Sequence, residues 1–144
     1  MYINPHDQNY TKEDIEKVLL VIKQCVKAGR FIISQNENRQ ENIDFIQKYN
    51  IKLKKQIEIL MSIKVEDFCY SVKNKKKGYE FEILYVFVPQ VELFNSSGDL
   101  EKIDIYIKFN IVQVSQRKQT IVISFHKRNK AIQYMFRKEI QGVK

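Results

Sequence analysis

The chain has 144 residues, of which 44% are hydrophobic, and its 25 Lys and Arg residues against 17 Asp and Glu residues give a formal net charge of +8. This length suits one domain, 1–144, with a substantial hydrophobic core, and the composition argues against disorder. Because we find neither a long apolar run nor a basic segment followed by an apolar one at the start, we expect no membrane span, no secretory signal and a cytoplasmic location.

The two cysteines, Cys25 and Cys69, fall within apolar patterns and lack the spacing of metal-binding motifs. We interpret both as small core residues, and we expect no disulfide framework, no metal and no cofactor. The excess of positive charge favours a polyanionic or acidic partner, which either a nucleic acid or an acidic protein would satisfy.

The N-terminal part of the chain predicts one helix and one short strand. A polar arm covers residues 1–10, and Thr11 is the expected N-cap of a helix whose apolar positions recur at intervals of three and four. Gly29 is expected to end this helix. The apolar run at residues 31–33 then suits an edge strand of a sheet.

Two shorter helices are predicted to follow, after a loop over residues 34–42 that contains no apolar residue. The first helix begins at Glu41 or Asn42 and ends near Asn50. The second covers residues 53–61, and its expected inner face carries Leu53, Ile57, Leu60 and Met61.

The segment VEDFCY, residues 65–70, is interpreted as a helical turn with Phe68 and Cys69 directed inward. It leads into a loop, closed by Gly78, that carries the densest run of positive charge in the chain, at Lys73, Lys75, Lys76 and Lys77. Ammonium groups on such a loop can contact consecutive phosphates of a nucleic acid in a salt-sensitive, sequence-independent way. The alternative is a solvated loop without a ligand.

The C-terminal half predicts an antiparallel sheet. Residues 79–88 alternate between apolar and polar at first and then become apolar on both faces, as in a central strand, until Pro89. A turn at residues 95–99 returns the chain. With the hairpin described next, this gives a three-stranded meander over residues 79–126. The expected fold is therefore α+β, with the N-terminal helices packed on the sheet and the short apolar run as an edge strand.

The last two strands of this meander are predicted to form a hairpin. Odd residues from 103 to 111 are apolar, and after a polar turn the odd positions 121, 123 and 125 are apolar again. If both apolar faces share one core, odd residues must oppose odd residues, because a slip of one residue would expose a whole face. His126 then lies opposite, or nearly opposite, Tyr106 or Lys108.

An imidazole, a phenol and an ammonium would thus share the solvent-facing side of the sheet. These groups suit acid, base and phosphate-binding roles, because an imidazole exchanges protons near neutral pH and an ammonium stabilises phosphate charge. The alternative is a solvated sheet face, on which Tyr and Lys are common.

The basic tail, residues 128–144, combines cations with aromatic residues. This combination suits phosphate contacts together with stacking on unpaired bases, and it gives four RNA-binding candidates at the end of the sheet and in the tail, Lys127, Arg128, Tyr134 and Arg137. For Ile132 and Phe136, the alternative is a short helix that docks them onto the domain.

Three strings, VEDFCYSVK at 65–73, IDIYIKF at 103–109 and IVISFHK at 121–127, together resemble the MqsR family of toxins from bacterial type II toxin–antitoxin modules. The resemblance covers roughly residues 11–127. It implies a RelE-like α+β fold, metal-independent cleavage of mRNA and neutralisation by a cognate antitoxin.

The resemblance also implies roles for individual residues. Tyr106 and Lys108 match a YxK string of the family, and His126 occupies the position of a catalytic Lys. Tyr70 occupies the position of another Lys, a departure from the family pattern. We therefore predict a catalytic set of His126, Lys108, Tyr106 and Tyr70 that cleaves single-stranded mRNA by attack of its own 2′-OH. The base is left open among His126, Tyr70 and Tyr134.

Two other functions fit the same sequence. A non-catalytic basic module would bind nucleic acid through residues 73–77 and the tail. A protein-interaction domain would use the basic surface to receive an acidic partner. The ribonuclease hypothesis itself predicts two partners, single-stranded mRNA and an antitoxin with an acidic segment.

Overall fold

The computed structural model describes residues 7–137, and within them the chain forms an α+β fold with three α-helices and six strands. The helices are α1 (Lys12–Lys27), α2 (Gln40–Lys48) and α3 (Leu53–Ser62), and 3₁₀ helices cover Glu37–Arg39 and Val65–Asp67. The strands are β1 (Phe31–Ile33), β2 (Phe68–Lys73), β3 (Ile83–Phe87), β4 (Gln90–Phe94), β5 (Leu100–Val114) and β6 (Arg117–Lys127). The α+β class predicted from the sequence is confirmed, while part of the predicted arm, residues 1–6, and the end of the tail, residues 138–144, lie outside the described residues.

The strands form one mostly antiparallel open sheet in the order β1-β6-β5-β3-β2, and β4 pairs with the first part of β5. The predicted meander corresponds to β3, β5 and β6, although β3 covers only residues 83–87. The exception to antiparallel pairing is β1, which pairs with β6 in parallel and so joins residues from opposite ends of the chain.

Two strands were missed in the sequence. The prediction of a helical turn over residues 65–70 was wrong beyond Asp67, because the main chain of Phe68, Tyr70 and the residues after them pairs with β3. The segment Gln90–Phe94 was not assigned to a strand, yet it pairs with β5 and buries Leu93.

The helices cover one face of the sheet. A capping box fixes the start of α1, since the Thr11 hydroxyl accepts from the Asp14 N–H and the Asp14 carboxylate accepts from the Thr11 N–H. The amphipathic face of α1 packs into the main core, which contains four fully buried phenylalanines from the strands, Phe68, Phe87, Phe109 and Phe125.

The inner face of α3 differs from the predicted one. Leu53, expected to be buried, is 61% exposed, and the buried residues of this helix are Ile59 and Leu60. Ile57 and Met61 pack partly buried at the edge of the core. The buried residues of α3 therefore lie in the second half of the helix.

The β5–β6 pairing follows the predicted register only from residue 105 to residue 108 of β5. Tyr106 lies opposite His126, and odd residues oppose odd residues there, but a bulge at Ile123 shifts the register beyond Lys108. Val122, and neither Ile121 nor Ile123, is consequently buried in the main core. The expectation that odd residues oppose odd residues along the whole hairpin was therefore wrong.

Within residues 7–137, no helix combines the length and the hydrophobicity required to cross a membrane.

Candidate active site

The face of the sheet away from the helices carries the predicted catalytic residues. We call this side the site face and define it by Tyr70, Tyr106, Lys108, Ser124 and His126. We had expected the site face to be open to solvent along its whole length. Instead, tail residues pack over part of it. Their apolar side chains join a second buried cluster that includes Cys69, Tyr70, Val86, Val88 and Tyr106.

His126 stacks on Tyr106 across the two central strands. The ring centroids are 5.5 Å apart and the ring planes differ by 16°, and the imidazole side chain retains 13% exposure. Nδ1 lies 3.0 Å from the carbonyl oxygen of Lys127. Because a carbonyl oxygen only accepts, this contact requires the proton of the neutral ring on Nδ1, and the lone pair of the ring is then on Nε2. The side chain can therefore accept a proton at Nε2.

Three phenols of the second cluster, those of Tyr70, Tyr106 and Tyr134, are fully or partly buried. The hydroxyls of Tyr70 and Tyr106 lie 3.1 Å apart in a hydrogen bond, and burial raises the pKa of both phenols above the usual value. Burial also raises the pKa of Tyr134 to about 12, and its hydroxyl donates to the carbonyl of Val88 over 2.7 Å. All three phenols stay protonated at neutral pH. Tyr70 and Tyr134, two of the three predicted candidates for the base, are therefore poor proton acceptors at neutral pH.

Lys108 is the centre of a concentration of positive charge on the site face. Burial is the main cause that lowers its pKa, and three neighbouring cations, Arg39, Lys130 and Lys75, lower it further. Within residues 7–137, no carboxylate forms a salt bridge with the Lys108 ammonium. A half-buried ammonium with cationic neighbours and no carboxylate partner is an electrostatic environment that favours a bound anion.

Lys108 and His126 are diagonal neighbours on the two central strands. Lys108 lies opposite Ser124, and His126 lies opposite Tyr106, two positions along each strand. The Cα atoms of such diagonal neighbours are about 7–8 Å apart across an antiparallel pair, which is within the reach of long side chains. Lys130, which reaches over the site from the tail, places its Nζ 5.0 Å from the centroid of the Tyr106 ring.

The predicted RNA-binding lysines lie partly on strands and partly on the loop between β2 and β3. Alternation along the strands places Lys73 and Lys127 on the face opposite His126, since each is paired with an odd residue of β3 or β5. The charge of Lys75 contributes to the lowered pKa of Lys108, while Lys76 lies over the Tyr79 ring. Lys77 is exposed on the same loop. Of the five predicted RNA-binding lysines, Lys75 is the one whose charge acts on a residue of the site face.

The tail candidates are engaged by the protein itself. Arg128 forms a salt bridge with Asp104 at 3.4 Å, and Arg137 forms one with Asp67 at 2.7 Å. Phe136 stacks on Phe68, and Ile132 packs against the second cluster, so the predicted docking of these two residues occurs, but without a helix among residues 128–137.

Several residues near the site carried no signal in the sequence. Arg39 and Glu41 belong to the polar stretch that we predicted as a loop, and the parallel pairing of β1 brings this stretch beside β6. Glu41 Oε2 lies 4.0 Å from His126 Nδ1 and also accepts from Asn129. Lys130 appeared only as one charge of a basic tail.

Asn42 is the buried residue that fixes this arrangement. Its side-chain amide donates to the carbonyls of Ser34 and Ile123 at 2.8 and 2.9 Å, and its oxygen accepts from the Phe125 N–H at 2.8 Å. The amide thus continues the hydrogen bonding of β6 where β1 ends. α2, and with it Glu41, is held against the strand that carries His126.

Comparison with protein-family models, curated proteins and solved structures gave no match to this chain in any of the three.

Proposed function

We propose that this protein is a metal-independent endoribonuclease of the MqsR toxin type, which cleaves single-stranded mRNA and is neutralised by a cognate antitoxin. The observation that carries the proposal is that one face of the sheet holds both an imidazole whose Nδ1 lies on a carbonyl oxygen, which puts the lone pair on Nε2, and a half-buried ammonium that has no carboxylate partner among the described residues. Hydrolysis of RNA through its 2′-OH needs these two functions, proton transfer and charge stabilisation.

In the proposed mechanism, Nε2 of His126 removes the proton of the 2′-OH. The 2′-oxygen then attacks the adjacent phosphorus and the bond to the 5′-oxygen breaks, which leaves a 2′,3′-cyclic phosphate and a 5′-hydroxyl. Lys108 stabilises the negative charge that develops on the phosphoryl oxygens. The lowered pKa of Lys108 also makes its ammonium a better proton donor to the leaving 5′-oxygen.

Tyr106 and Tyr70 have supporting roles in this proposal. The Tyr106 ring holds the imidazole by stacking, and the Tyr70 hydroxyl holds Tyr106 by a hydrogen bond. Where the family pattern has a second Lys, this chain has Tyr70. We propose that Lys130, above the Tyr106 ring, supplies the cation that this departure removes.

The resemblance to the MqsR family supports the same assignment, because its strings place Tyr106, Lys108 and His126 on neighbouring strands. A RelE-like fold, a cytoplasmic location and an antitoxin with an acidic segment are parts of this proposal. The formal net charge of +8 supports an acidic partner as well as an RNA substrate.

The purified chain should cleave single-stranded RNA in the presence of EDTA and release 2′,3′-cyclic phosphate ends. The matched control is the same RNA with 2′-O-methyl groups, which lacks the attacking hydroxyl and should remain intact. Mass spectrometry of the products identifies the ends. Salt-dependent RNA binding without any product would instead support the non-catalytic basic module, and weak RNA binding would support the protein-interaction domain.

Replacing Lys108 by Met should change activity and stability in opposite directions. The rate of RNA cleavage should fall about a hundredfold, since one electrostatic stabiliser of the transition state is lost. The free energy of unfolding at pH 7 should rise, because the folded state no longer holds a half-buried ammonium among cations.

The stability gain of Lys108→Met should depend on pH in a defined direction. The pKa of Lys108 is lowered in the folded state, so the wild type gains stability as the pH rises through this pKa toward the usual value of lysine. The difference between variant and wild type should therefore shrink in alkaline solution. Urea denaturation at several pH values measures it, with the exposed Lys102→Met as the matched control. Equal stability of the Lys108 variant and wild type at pH 7 would contradict the proposed environment.

A further inference from the structure

The loop between β2 and β3 exposes two aromatic rings that the proposed mechanism does not use. Phe81 is 78% exposed and Tyr79 is 43% exposed. Their rings stack on each other, with centroids 6.5 Å apart and an angle of 26° between the planes. Apolar rings exposed side by side mark a binding surface more often than single exposed rings do.

The loop that presents these rings is held by its own hydrogen bonds. The Asn74 N–H donates to the carbonyl of Glu82 and the Asn74 amide donates to its carboxylate, while the Tyr79 N–H donates to the carbonyl of Lys76. The Glu80 carboxylate accepts from the N–H of Gly78. Both carboxylates of the loop are therefore used within it, and the two rings are presented by a defined backbone.

Positive charge surrounds the pair and continues toward the site face. Lys76 Nζ lies 4.8 Å from the centroid of the Tyr79 ring, and Lys77 is exposed beside it. Lys75, on the same loop, is near enough to Lys108 to lower its pKa. The loop that presents the two rings thus carries three ammonium groups, those of Lys75, Lys76 and Lys77, and the charge of Lys75 acts on Lys108.

We infer that Tyr79 and Phe81 form a platform on which unpaired bases of single-stranded RNA stack, while Lys75, Lys76 and Lys77 hold the phosphates between the platform and Lys108. Stacking on aromatic rings together with backbone contacts to cations is the common mode of binding single strands. The surrounding cations favour RNA over an apolar protein segment as the occupant. The inference rests on the proposed function only for the path that ends at Lys108.

The test measures binding of a fluorescent 2′-O-methyl RNA of about 12 nucleotides, which spans a single-strand site and cannot be cleaved through its 2′-OH. Phe81→Leu and Tyr79→Leu should each weaken binding about fivefold or more, since each removes a ring. Phe94→Leu is the matched control, because Phe94 is a similarly exposed ring, at 65%, on β4, and it should bind as wild type does. Thermal melting verifies that all three variants are folded.

Two further measurements distinguish stacking on the rings from contacts to the phosphate backbone. One removes the bases of the oligomer, and the other varies the salt concentration. An abasic oligomer of the same length should bind wild type and Phe81→Leu equally, and the salt dependence of affinity should stay unchanged in Phe81→Leu but decrease in Lys76→Ala. Unchanged affinity of Phe81→Leu for the base-containing RNA would overturn the platform and favour a protein ligand for this surface. If the platform variants lose binding while wild type cleaves no RNA, the proposed function fails and the inference stands.

Discussion

Replacing His126 by Ala should lower the rate of RNA cleavage at neutral pH by about 10²- to 10⁴-fold, the range for loss of a general acid or base. The phenols near the imidazole cannot take over the proton transfer, because burial raises the pKa of Tyr70 and Tyr106. Single-turnover cleavage of a fluorescent RNA at saturating protein measures the chemical step separately from binding.

Two controls separate proton transfer from general damage to the sheet. Lys118→Ala changes an exposed residue of the same strand, distant from the site, and should cleave at the wild-type rate. Free imidazole in the buffer should restore part of the activity of His126→Ala, because the substitution leaves space beside the Tyr106 ring. Cleavage by His126→Ala at the wild-type rate would remove this residue from the mechanism.

Replacing Asn42 by Leu should lower the free energy of unfolding by about 3 kcal/mol, since one buried and two part-buried backbone groups lose a partner, at about 1–3 kcal/mol for a buried group and less for a group that water can reach. These groups are the carbonyls of Ser34 and Ile123 and the N–H of Phe125. The leucine side chain has the same branching at Cγ as the amide and removes all three hydrogen bonds. Urea denaturation followed by circular dichroism measures the change.

Asn129→Ala is the appropriate comparison for Asn42→Leu. Its amide makes one exposed hydrogen bond, to Glu41, and its replacement should change stability by no more than about 0.5 kcal/mol. A loss below about 1 kcal/mol for Asn42→Leu would mean that water replaces the amide at β6, and that α2 is held against the sheet by other contacts.

The sequence predicted the part of the site that two adjacent strands provide. Tyr106, Lys108 and His126 fall together because strict alternation on β5 fixes which side each residue faces. The same logic failed beyond Lys108, where residues 121–123 are all apolar and are compatible with either face. The register there depends on the bulge. Asn42, whose amide bonds to the carbonyl of Ile123 and to the N–H of Phe125, gives no signal in the sequence.

Other parts of the fold depend on partners distant in the sequence. Residues 68–70 are all hydrophobic and show no alternation, so their pairing with β3 distinguishes a strand from a continued helical turn. β4 did carry a signal, since Val91 and Leu93 alternate with polar residues. We assigned no strand there, because Pro89 marks the end of the preceding strand. Arg39 and Lys130 reach the site through tertiary structure alone.

The parallel pairing of β1 with β6 joins Phe31 to Thr120, so the strand that carries His126 gains its outer neighbour from the opposite end of the described chain. Closing a loop of this length is entropically costly, and pairings between such distant segments form late and slow the folding reaction. In a nascent chain β1 is synthesised long before β6, so the imidazole stays in an incomplete sheet until the two segments have met. The timing of folding thus limits when the candidate active site comes into existence.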